Sequence, residues 1–297
     1  MKLENVKLNL ETELVYNVGY PMGKTNAPRV YNKLFEVLDM NAIMLPVEIE
    51  KGKLPEFLDA CRLLGVHYMC PTMPHKADFI PLLDDVDEVS KLFRSVNAIR
   101  IDENGSHGVG MDGKGAVRAM VNGGAKLDGI TAMMYGAGSI SGVIGYELSR
   151  KNVKKLYIAN RSKERAEEIA VILRNNTPMD VEVISTDPAA LDRAAEDCEL
   201  LANVTPLGMC GFPAKHEYLG FVDRMPKTAT VFDCIINPPE TETILAGKKN
   251  GLNTVPGMQM LVSQMDVIFE FMFGIQLKNE HKEACLDELC QFLGVTR

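Results

Sequence analysis

Residues 130–148 read Ile-Thr-Ala-Met-Met-Tyr-Gly-Ala-Gly-Ser-Ile-Ser-Gly-Val-Ile-Gly-Tyr-Glu-Leu. A short apolar run ends at Gly136 and a segment with helical apolar spacing follows at once, which predicts a strand, a tight glycine turn and a helix. Backbone N–H groups at the start of such a helix can approach a pyrophosphate. Gly136 and Gly138 fit the first two glycines of Gly-x-Gly-x-x-Gly, but Ser141 replaces the third. A helix entered through an ordinary glycine turn is therefore the alternative.

Length and composition limit the possible classes of protein. With 297 residues the chain is long enough for about two domains. The hydrophobic fraction of 46% and the charged fraction of 24% are ordinary for a globular protein. No apolar run approaches the roughly 20 residues that span a bilayer, and the N-terminus lacks a signal-peptide pattern. The net charge of −8, without a long basic block, makes binding to nucleic acid or a membrane surface unexpected. We expect a cytoplasmic protein.

The seven cysteines and five histidines are scattered along the chain. No Cys-x-x-Cys occurs, and the nearest pair, Cys285 and Cys290, has no metal-ligand pattern around it. We interpret the cysteines as small buried hydrophobic residues in a reducing compartment, and we expect no metal site.

The first hundred residues alternate strand-like and helix-like segments, which predicts an α/β unit. The predicted strands are Leu14–Tyr20, Ala42–Val47 and Val66–Cys70, and the predicted helices are Ala27–Leu38, Leu54–Leu64 and Pro81–Phe93. Two close prolines exclude both helix and central strand, so Pro71–Lys76 is predicted to be a rigid loop. Glycine-rich Gly108–Gly115 is predicted to be the crossing between domains.

After the opening stretch, strands and helices alternate regularly, which predicts a doubly wound parallel sheet. The predicted strands are Lys155–Asn160, Val181–Ser185, Leu200–Val204, Thr230–Ile235 and Asn253–Val255, with helices at Lys163–Asn175 and Ala189–Glu196. Two final helices, Met258–Phe273 and Asn279–Leu293, are expected to pack back on the first domain.

The end of the second strand of this sheet tests the nucleotide hypothesis. About 20 residues past the glycines, an Asp or Glu would bind the ribose 2′-hydroxyl of NAD. Here Asn160, Arg161 and Ser162 follow the strand, with Lys163 and Arg165 just beyond. Guanidinium groups suit a 2′-phosphate, so the sequence predicts NADP. The alternative is a solvated basic start to a helix.

A dehydrogenase also needs a group that gives and takes a proton beside the reacting carbonyl. Lys76 is the best candidate in the first domain because the proline-bound loop fixes its backbone, and Asp112 at the domain crossing is a candidate partner. Asn97 is able to hydrogen-bond a hydroxylated substrate. On residue types alone, a surface lysine and a helix-capping or turn aspartate are the alternatives.

Several motifs in register resemble the shikimate/quinate dehydrogenase family over nearly the whole chain. They are Pro74-His75-Lys76, Val96-Asn97, Gly110-Met111-Asp112-Gly113, Gly136-Ala137-Gly138, Asn160-Arg161-Ser162, Asn203-Val204-Thr205-Pro206-Leu207-Gly208-Met209 and residues 257–264, Gly-Met-Gln-Met-Leu-Val-Ser-Gln. The resemblance implies an N-terminal α/β substrate domain (residues 1–110, with 258–297) and a Rossmann-type NADP-binding domain (residues 111–257).

The resemblance also implies an activity and a set of site residues. The activity is NADP-dependent, reversible reduction of a ring ketone, 3-dehydroshikimate to shikimate in the typical member, a step toward chorismate and the aromatic amino acids. Lys76 and Asp112 would be the catalytic pair. The substrate contacts would be Thr25, Thr72, Asn97 and Gln264, and the cofactor contacts Gly136, Ala137, Gly138, Ser139, Asn160, Arg161, Ser162, Arg165, Thr205 and Met209.

The chain departs from the family pattern at three positions. The opening motif of the family has two serines that bind the substrate carboxylate; Thr25 replaces the first and Ala27 the second. The substrate-contacting Tyr of Asp-x-x-Tyr-x-Pro is Ile236, and the Asn that opens Asn-Val-Thr-x-Pro is Cys70. Shikimate should be a poor substrate unless Lys24 or Tyr31 compensates.

We therefore expect a divergent member, active on a small hydroxylated ring carboxylate. Quinate and an amino-substituted shikimate are the alternative substrates, and a non-catalytic NADP(H)-binding sensor is the alternative function. The retained Lys76 and Asp112 argue against a sensor. A monomer or a homodimer is expected.

Overall fold

The structure, a computed structural model, describes residues 8–22 and 25–295. The chain divides into two compact units: unit 1 is Met1–Met111 with Met265–Arg297, and unit 2 is Asp112–Gln264. The strands are β1 (Glu13–Gly19), β2 (Ala42–Glu48), β3 (Tyr68–Pro71), β4 (Asp85–Val86), β5 (Ala98–Asp102), β6 (Gly105–Val109), β7 (Thr131–Tyr135), β8 (Lys155–Ala159), β9 (Asp180–Ile184), β10 (Leu200–Asn203), β11 (Thr230–Asp233) and β12 (Asn253–Val255).

The helices are α1 (Ala27–Val37), α2 (Leu54–Leu64), α3 (Glu88–Phe93), α4 (Asp112–Asn122), α5 (Ser141–Ser149), α6 (Lys163–Asn176), α7 (Pro188–Ala195), α8 (Glu242–Lys249), α9 (Gly257–Phe273) and α10 (Asn279–Leu293). None of the described helices is long and apolar enough to cross a membrane.

Unit 1 is built on a mixed six-stranded sheet with the order β2-β1-β3-β5-β6-β4. β1 lies parallel to β2 and β3, whereas β5 lies antiparallel to β3 and β6. Val18 on β1 and Met69 on β3 are fully buried in the core under this sheet, together with Phe79 and Ile99. The parallel edge aligns the carboxyl ends of β1 and β3, so the loops that follow these two strands begin side by side.

Aromatic side chains anchor the C-terminal half of α9 within unit 1. Phe269 is fully buried, with ring centroids 5.6 Å from Tyr31 and 5.7 Å from Phe35. Tyr68 and Phe273 approach to 4.6 Å. Burial of each such ring stabilises the unit by roughly 1.5–3 kcal/mol.

Unit 2 contains a six-stranded sheet in which neighbouring strands are parallel, in the order β12-β11-β10-β7-β8-β9. The chain winds outward from β7 in both directions, to β8 and β9 on one side and to β10, β11 and β12 on the other. This order is that of a Rossmann-type sheet, and the strand order reverses between β7 and β10, where such folds bind ligands. The predicted doubly wound parallel sheet is confirmed.

One predicted helix is wrong. Pro81–Phe93 is not continuous: a single 3₁₀ turn (Ile80–Leu82) and the short β4 precede the six-residue α3. The Asp84 carboxylate accepts hydrogen bonds from both the backbone N–H and the hydroxyl of Ser106, each at 2.7 Å. These bonds join residues 22 positions apart and hold the chain at Asp84 beside β6, with which β4 pairs where the helix was predicted.

The glycine-rich stretch Gly108–Gly115 owes its composition to close packing. Its first residues belong to β6 and its last to α4, and the two compact units divide between Met111 and Asp112. A Cβ on Gly110 would lie 2.4 Å from the Ser95 carbonyl oxygen, and a Cβ on Gly113 would lie 2.3 Å from that of Val143. Glycine is therefore required at both positions by close packing within each residue's own unit.

Candidate active site

Unit 1 places the predicted proton donor on a loop that is bonded on both sides. The Val96 N–H donates to the carbonyl oxygen of Lys76 at 2.9 Å, which ties the Lys76 loop to the segment before Asn97. Asn97 is buried, and its side-chain oxygen accepts from the Met111 N–H at 2.7 Å. The structure therefore brings the Lys76 and Asn97 segments together.

His75 anchors the same loop through its buried side chain, a role that was not predicted from the sequence. Its side chain is fully buried, and Nε2 lies 2.7 Å from the carbonyl oxygen of Ile49. Because a carbonyl oxygen only accepts, Nε2 carries the hydrogen of this bond. The clue in the sequence was a histidine directly before the candidate lysine, between two prolines and an apolar run.

Thr72 follows β3 directly and lies against the end of β1. Its N–H donates to the Val18 carbonyl oxygen at 2.8 Å. A Cβ on Gly19 would lie 2.6 Å from Thr72 Cγ2, so a glycine is needed at this close approach. Thr25 lies between β1 and α1, and its hydroxyl donates to the Asn17 side-chain oxygen at 3.0 Å.

In unit 2, Asp112 is the first residue of α4 and is buried. The Gln264 side-chain amide on α9 donates to its Oδ1 at 2.6 Å. A Cβ on Gly115 would lie 2.7 Å from Gln264 Cβ, so the missing side chain at Gly115 allows Gln264 to approach. Two residues predicted for separate roles, the catalytic Asp112 and the substrate contact Gln264, are hydrogen-bonded to each other.

The predicted cofactor residues of unit 2 cluster where β7, β8 and β10 end. The strands are in register there, with Tyr135 opposite both Ala159 and Asn203. Gly136 has φ +121°, and a Cβ on it would lie 2.7 Å from Thr205 Cγ2. The structure thus brings the glycine turn and the Thr205 loop together. Met209 lies further along that loop, 40% exposed.

Gly138 is the position that fits a bound pyrophosphate. It is exposed, and a Cβ on it would meet no protein atom nearer than the Val204 carbonyl oxygen at 3.9 Å. The protein's own packing therefore does not require glycine at this position, whereas a phosphate group lying against the backbone does. Ala137 and Ser139 flank it, half-buried and exposed.

Substituting Gly138 by alanine tests this interpretation. Since the added methyl meets open space, the thermal unfolding midpoint should stay within about 2 °C of wild type. Affinity for NADPH should fall about tenfold or more, because the methyl would occupy the space of the phosphate. Titration of NADPH fluorescence measures the affinity. Unchanged NADPH affinity would contradict a pyrophosphate at Gly138.

The residue in the third glycine position closes the turn with a hydrogen bond. Ser141 is fully buried, and its hydroxyl oxygen accepts from the Gly138 N–H at 2.8 Å, which holds the turn closed. The close approach of helix to sheet occurs one turn later. A Cβ on Gly145 would lie 2.7 Å from Leu173 Cδ1 and 3.3 Å from Leu156 Cδ2.

The end of β8 presents cations to solvent. Arg161 and Arg165 are exposed, and neither forms an ion pair within the described residues. Ser162 caps α6, accepting from the Arg165 N–H at 3.3 Å, and the Asn160 amide donates to the Ser162 carbonyl oxygen at 2.8 Å. One acid, Glu164, accepts from the Ser162 hydroxyl at 3.0 Å. Two unpaired guanidinium groups at the strand end suit a 2′-phosphate.

A buried carboxylate behind the Thr205 loop was also missed. Asp233 is fully buried at the end of β11 and accepts from Asn203 Nδ2 (2.9 Å), Thr241 Oγ1 (2.6 Å) and the Ile235 N–H (2.9 Å). Burial raises the pKa of this carboxyl above its usual value, although its hydrogen-bond donors oppose the shift.

This network positions Thr205. Because the Asn203 amide nitrogen donates to Asp233, its oxygen must face Thr205, whose hydroxyl donates to it at 2.7 Å. In the sequence, the signal was a polar residue ending each of two otherwise apolar strands.

Comparison with known proteins assigns the chain to a family. Residues 18–99 match the family model described as the shikimate dehydrogenase substrate binding domain, and residues 117–192 match the one described as shikimate / quinate 5-dehydrogenase. The shikimate dehydrogenase (NADP(+)) of Methanosphaera stadtmanae is 30% identical over 260 residues, which cover 86% of this chain and 90% of the relative. The chain belongs to the shikimate dehydrogenase family.

Solved structures of other proteins have the same fold as this chain. A shikimate dehydrogenase crystallised in complex with NADP+ superimposes with a TM-score of 0.82 at 25% identity, covering 98% of each chain. The ligand-free 5-ketofructose reductase of Gluconobacter sp. strain CHM43 gives a TM-score of 0.85 at 22% identity, covering 96% of this chain and all of that one.

Tyr31 and Lys24 are the two residues that were expected to compensate for the departures from the family motif. Tyr31 is buried, 1% exposed, and the Cys70 thiol donates to its hydroxyl at 3.1 Å. Because so little of Tyr31 is exposed, the structure gives no support to the expectation that it replaces a missing substrate contact. Burial raises the pKa of the Cys70 thiol to about 12, so Cys70 stays a neutral thiol. Lys24, the other candidate, lies outside the described residues.

Proposed function

We propose that this chain is an NADP-dependent oxidoreductase of the shikimate dehydrogenase type. It transfers a hydride reversibly between NADPH and the ring ketone of 3-dehydroshikimate or a close analogue. Membership of the family carries this proposal, supported by a curated relative named for NADP(+). The exposed Gly138 turn and the unpaired Arg161 and Arg165 support the same cofactor.

We assign the proton transfer to Lys76 and Asp112. Bound NADPH supplies a hydride to the carbonyl carbon of the substrate. Lys76 gives a proton to the carbonyl oxygen in the same direction and takes the hydroxyl proton in reverse, so ketone, NADPH and one proton balance alcohol and NADP+. Asp112 is the acid–base partner of Lys76.

The other site residues bind or orient. Thr25, Thr72 and Asn97 are the proposed substrate contacts. Gln264, bonded to Asp112 Oδ1 at 2.6 Å, fixes the direction of that carboxylate as well as being a proposed contact. Thr205 and Met209 are proposed to line the nicotinamide half of the cofactor site. A monomeric or homodimeric state in the cytoplasm stays a prediction.

A spectrophotometric screen tests the function directly. Purified protein is given NADP or NAD together with shikimate, quinate and an amino-substituted shikimate, and absorbance is followed at the wavelength of the reduced nicotinamide. We expect reduction of NADP with at least one of these substrates. If the protein binds NADPH but none of these substrates leads to reduction of NADP or NAD, the second candidate function, a non-catalytic sensor, is favoured.

The variant Arg161→Ala tests the choice of cofactor. Loss of a charge-assisted contact to the 2′-phosphate should weaken NADPH binding about ten- to a hundredfold, while NADH, which lacks that phosphate, binds as before. Arg193→Ala, which removes an exposed arginine from α7, is the matched control and should leave both affinities unchanged. A wild-type preference for NADH would refute the interpretation of residues 160–165.

A further inference from the structure

The loop that follows β10 returns to its starting point within unit 2. This β10 loop (residues 205–216) carries Thr205 and Met209, the residues proposed to line the nicotinamide half of the cofactor site. The Gly208 N–H donates to the Ala214 carbonyl oxygen at 3.2 Å, which draws the two arms of the loop together. The contacts at its two ends therefore set the position of the whole loop.

The first end of the β10 loop is fixed to the start of α8. The Thr205 hydroxyl donates to Asn203, and Asn203 donates to the buried Asp233 carboxylate. The same carboxylate accepts from the hydroxyl of Thr241, whose oxygen caps α8 by accepting from the Ile244 N–H at 3.2 Å. Asp233 thus joins Thr205 to the first turn of α8.

His216 fixes the second end of the loop to the same turn of α8. Its Nε2 lies 3.2 Å from Oγ1 of Thr243, which is buried in that turn. The Thr243 hydroxyl also hydrogen-bonds the Asp233 carboxylate, which lowers the pKa of that carboxyl. An ionised carboxylate only accepts and a hydroxyl has one proton, so Thr243 donates to Asp233 and accepts from His216 Nε2.

Burial keeps His216 in the one neutral form that makes this bond. With its hydrogen on Nε2, the imidazole leaves Nδ1 as a bare lone pair, and Nδ1 is buried with no hydrogen-bond partner among the residues that the structure describes. A second proton would create a buried N–H without an acceptor. Burial accordingly lowers the pKa of His216, although the nearby Glu242 carboxylate opposes the shift.

The His216 ring also contacts the strand that leads into the glycine turn. Its centroid lies 5.0 Å from that of the Tyr135 ring, with the two ring planes at 63°. Tyr135 is buried, ends β7 and directly precedes Gly136. His216 therefore packs against the end of β7 as well as donating to α8.

We propose, on the basis of the assignment of Thr205 and Met209 to the nicotinamide half, that His216 is a positioning residue for bound NADP(H). Its hydrogen bond to Thr243 holds the second end of the β10 loop on α8 and keeps the loop in the arrangement that receives the nicotinamide. His216 acts through the loop and not as a ligand. Binding of the adenosine half, which is proposed to lie at the Gly138 turn and at Arg161, does not depend on this bond.

The variant His216→Leu, tested with two ligands, separates a local effect from a general one. The variant leaves the Thr243 oxygen without its donor, so a smaller fraction of molecules has the loop in place. NADPH affinity should fall about fivefold or more, since it scales with that fraction. Adenosine 2′,5′-bisphosphate, which has the 2′-phosphate but no nicotinamide, should bind within about twofold of wild type. Isothermal titration calorimetry measures both affinities.

Two further variants check the cause. His216→Gln brings an amide N–H donor to the position of Nε2 and should restore NADPH affinity to within about twofold of wild type. Lys215→Ala removes the exposed ion pair to Glu242 (3.1 Å) from the same loop and should leave both affinities unchanged, because surface ion pairs contribute little.

Three results would overturn the proposal. They are unchanged NADPH affinity in His216→Leu, an equal loss for NADPH and the bisphosphate, and equal NADPH losses in His216→Leu and His216→Gln. If wild type binds the bisphosphate as tightly as NADPH, the assignment of Thr205 and Met209 fails and the proposal fails with it. A wild-type protein that binds no NADPH would instead refute the proposed function itself.

Discussion

Replacing Lys76 by alanine is expected to lower turnover about a hundredfold or more while NADPH binding stays unchanged, as is usual for a general acid–base group. Lys76 lies on a loop held by the Val96 bond to its carbonyl oxygen and by the buried His75. Those contacts are made by the backbone and by His75, so truncation of the Lys76 side chain should leave the loop in place. The loss would then report the missing proton transfer.

Steady-state kinetics and a fluorescence titration of NADPH measure the two effects separately. Lys91→Ala, at an exposed lysine of α3 in the same unit, is the matched control and should behave as wild type. If Lys76→Ala keeps more than a tenth of wild-type turnover, Lys76 is not the proton-transfer group. A parallel loss in Asp112→Asn would support the proposed pair.

Replacing Asp233 by alanine should destabilise the protein by about 3 kcal/mol or more. Three donors, Asn203 Nδ2, Thr241 Oγ1 and the Ile235 N–H, point at a fully buried carboxylate. Each buried donor left without a partner costs about 1–3 kcal/mol. For a domain of this size the unfolding midpoint should fall by roughly 6–12 °C. Thermal unfolding followed by circular dichroism measures the change.

The same variant should also weaken NADPH binding, because Asn203 would no longer hold Thr205 in place. Asp197→Ala, at an exposed aspartate of the same unit, is the control and should unfold within about 1 °C of wild type. Asp233→Asn should not restore stability, since its NH₂ group would meet a donor. An unfolding midpoint like that of wild type in Asp233→Ala would show that the buried network does not hold this edge of the sheet.

Some features of the candidate site are signalled by residues close together in the sequence, and others depend on residues far apart. The Gly136–Gly138 turn and the Arg161 cluster were readable from spacing and charge, because a strand, a turn and the next strand end are close in sequence. The hydrogen bond between Asp112 and Gln264 joins residues 152 positions apart, and no local sequence pattern predicts it. The same holds for Asp233, whose partner Asn203 lies on a neighbouring strand 30 residues away.

By itself the sequence determined the alternation of strands and helices, the glycine turn after β7, the cations after β8 and the family. These depend on periodicity and on short motifs, which neighbouring residues set without help from the rest of the chain.

Only the tertiary structure decided which way the polar side chains point. Thr25 looked like a substitute for a carboxylate-binding serine, and Tyr31 like a possible helper. In the folded protein the Thr25 hydroxyl instead donates to Asn17, and the Tyr31 hydroxyl is buried against Cys70. A hydroxyl donates one proton only, and its direction depends on acceptors brought close by distant parts of the chain. Residue type alone therefore could not predict what this site offers its substrate.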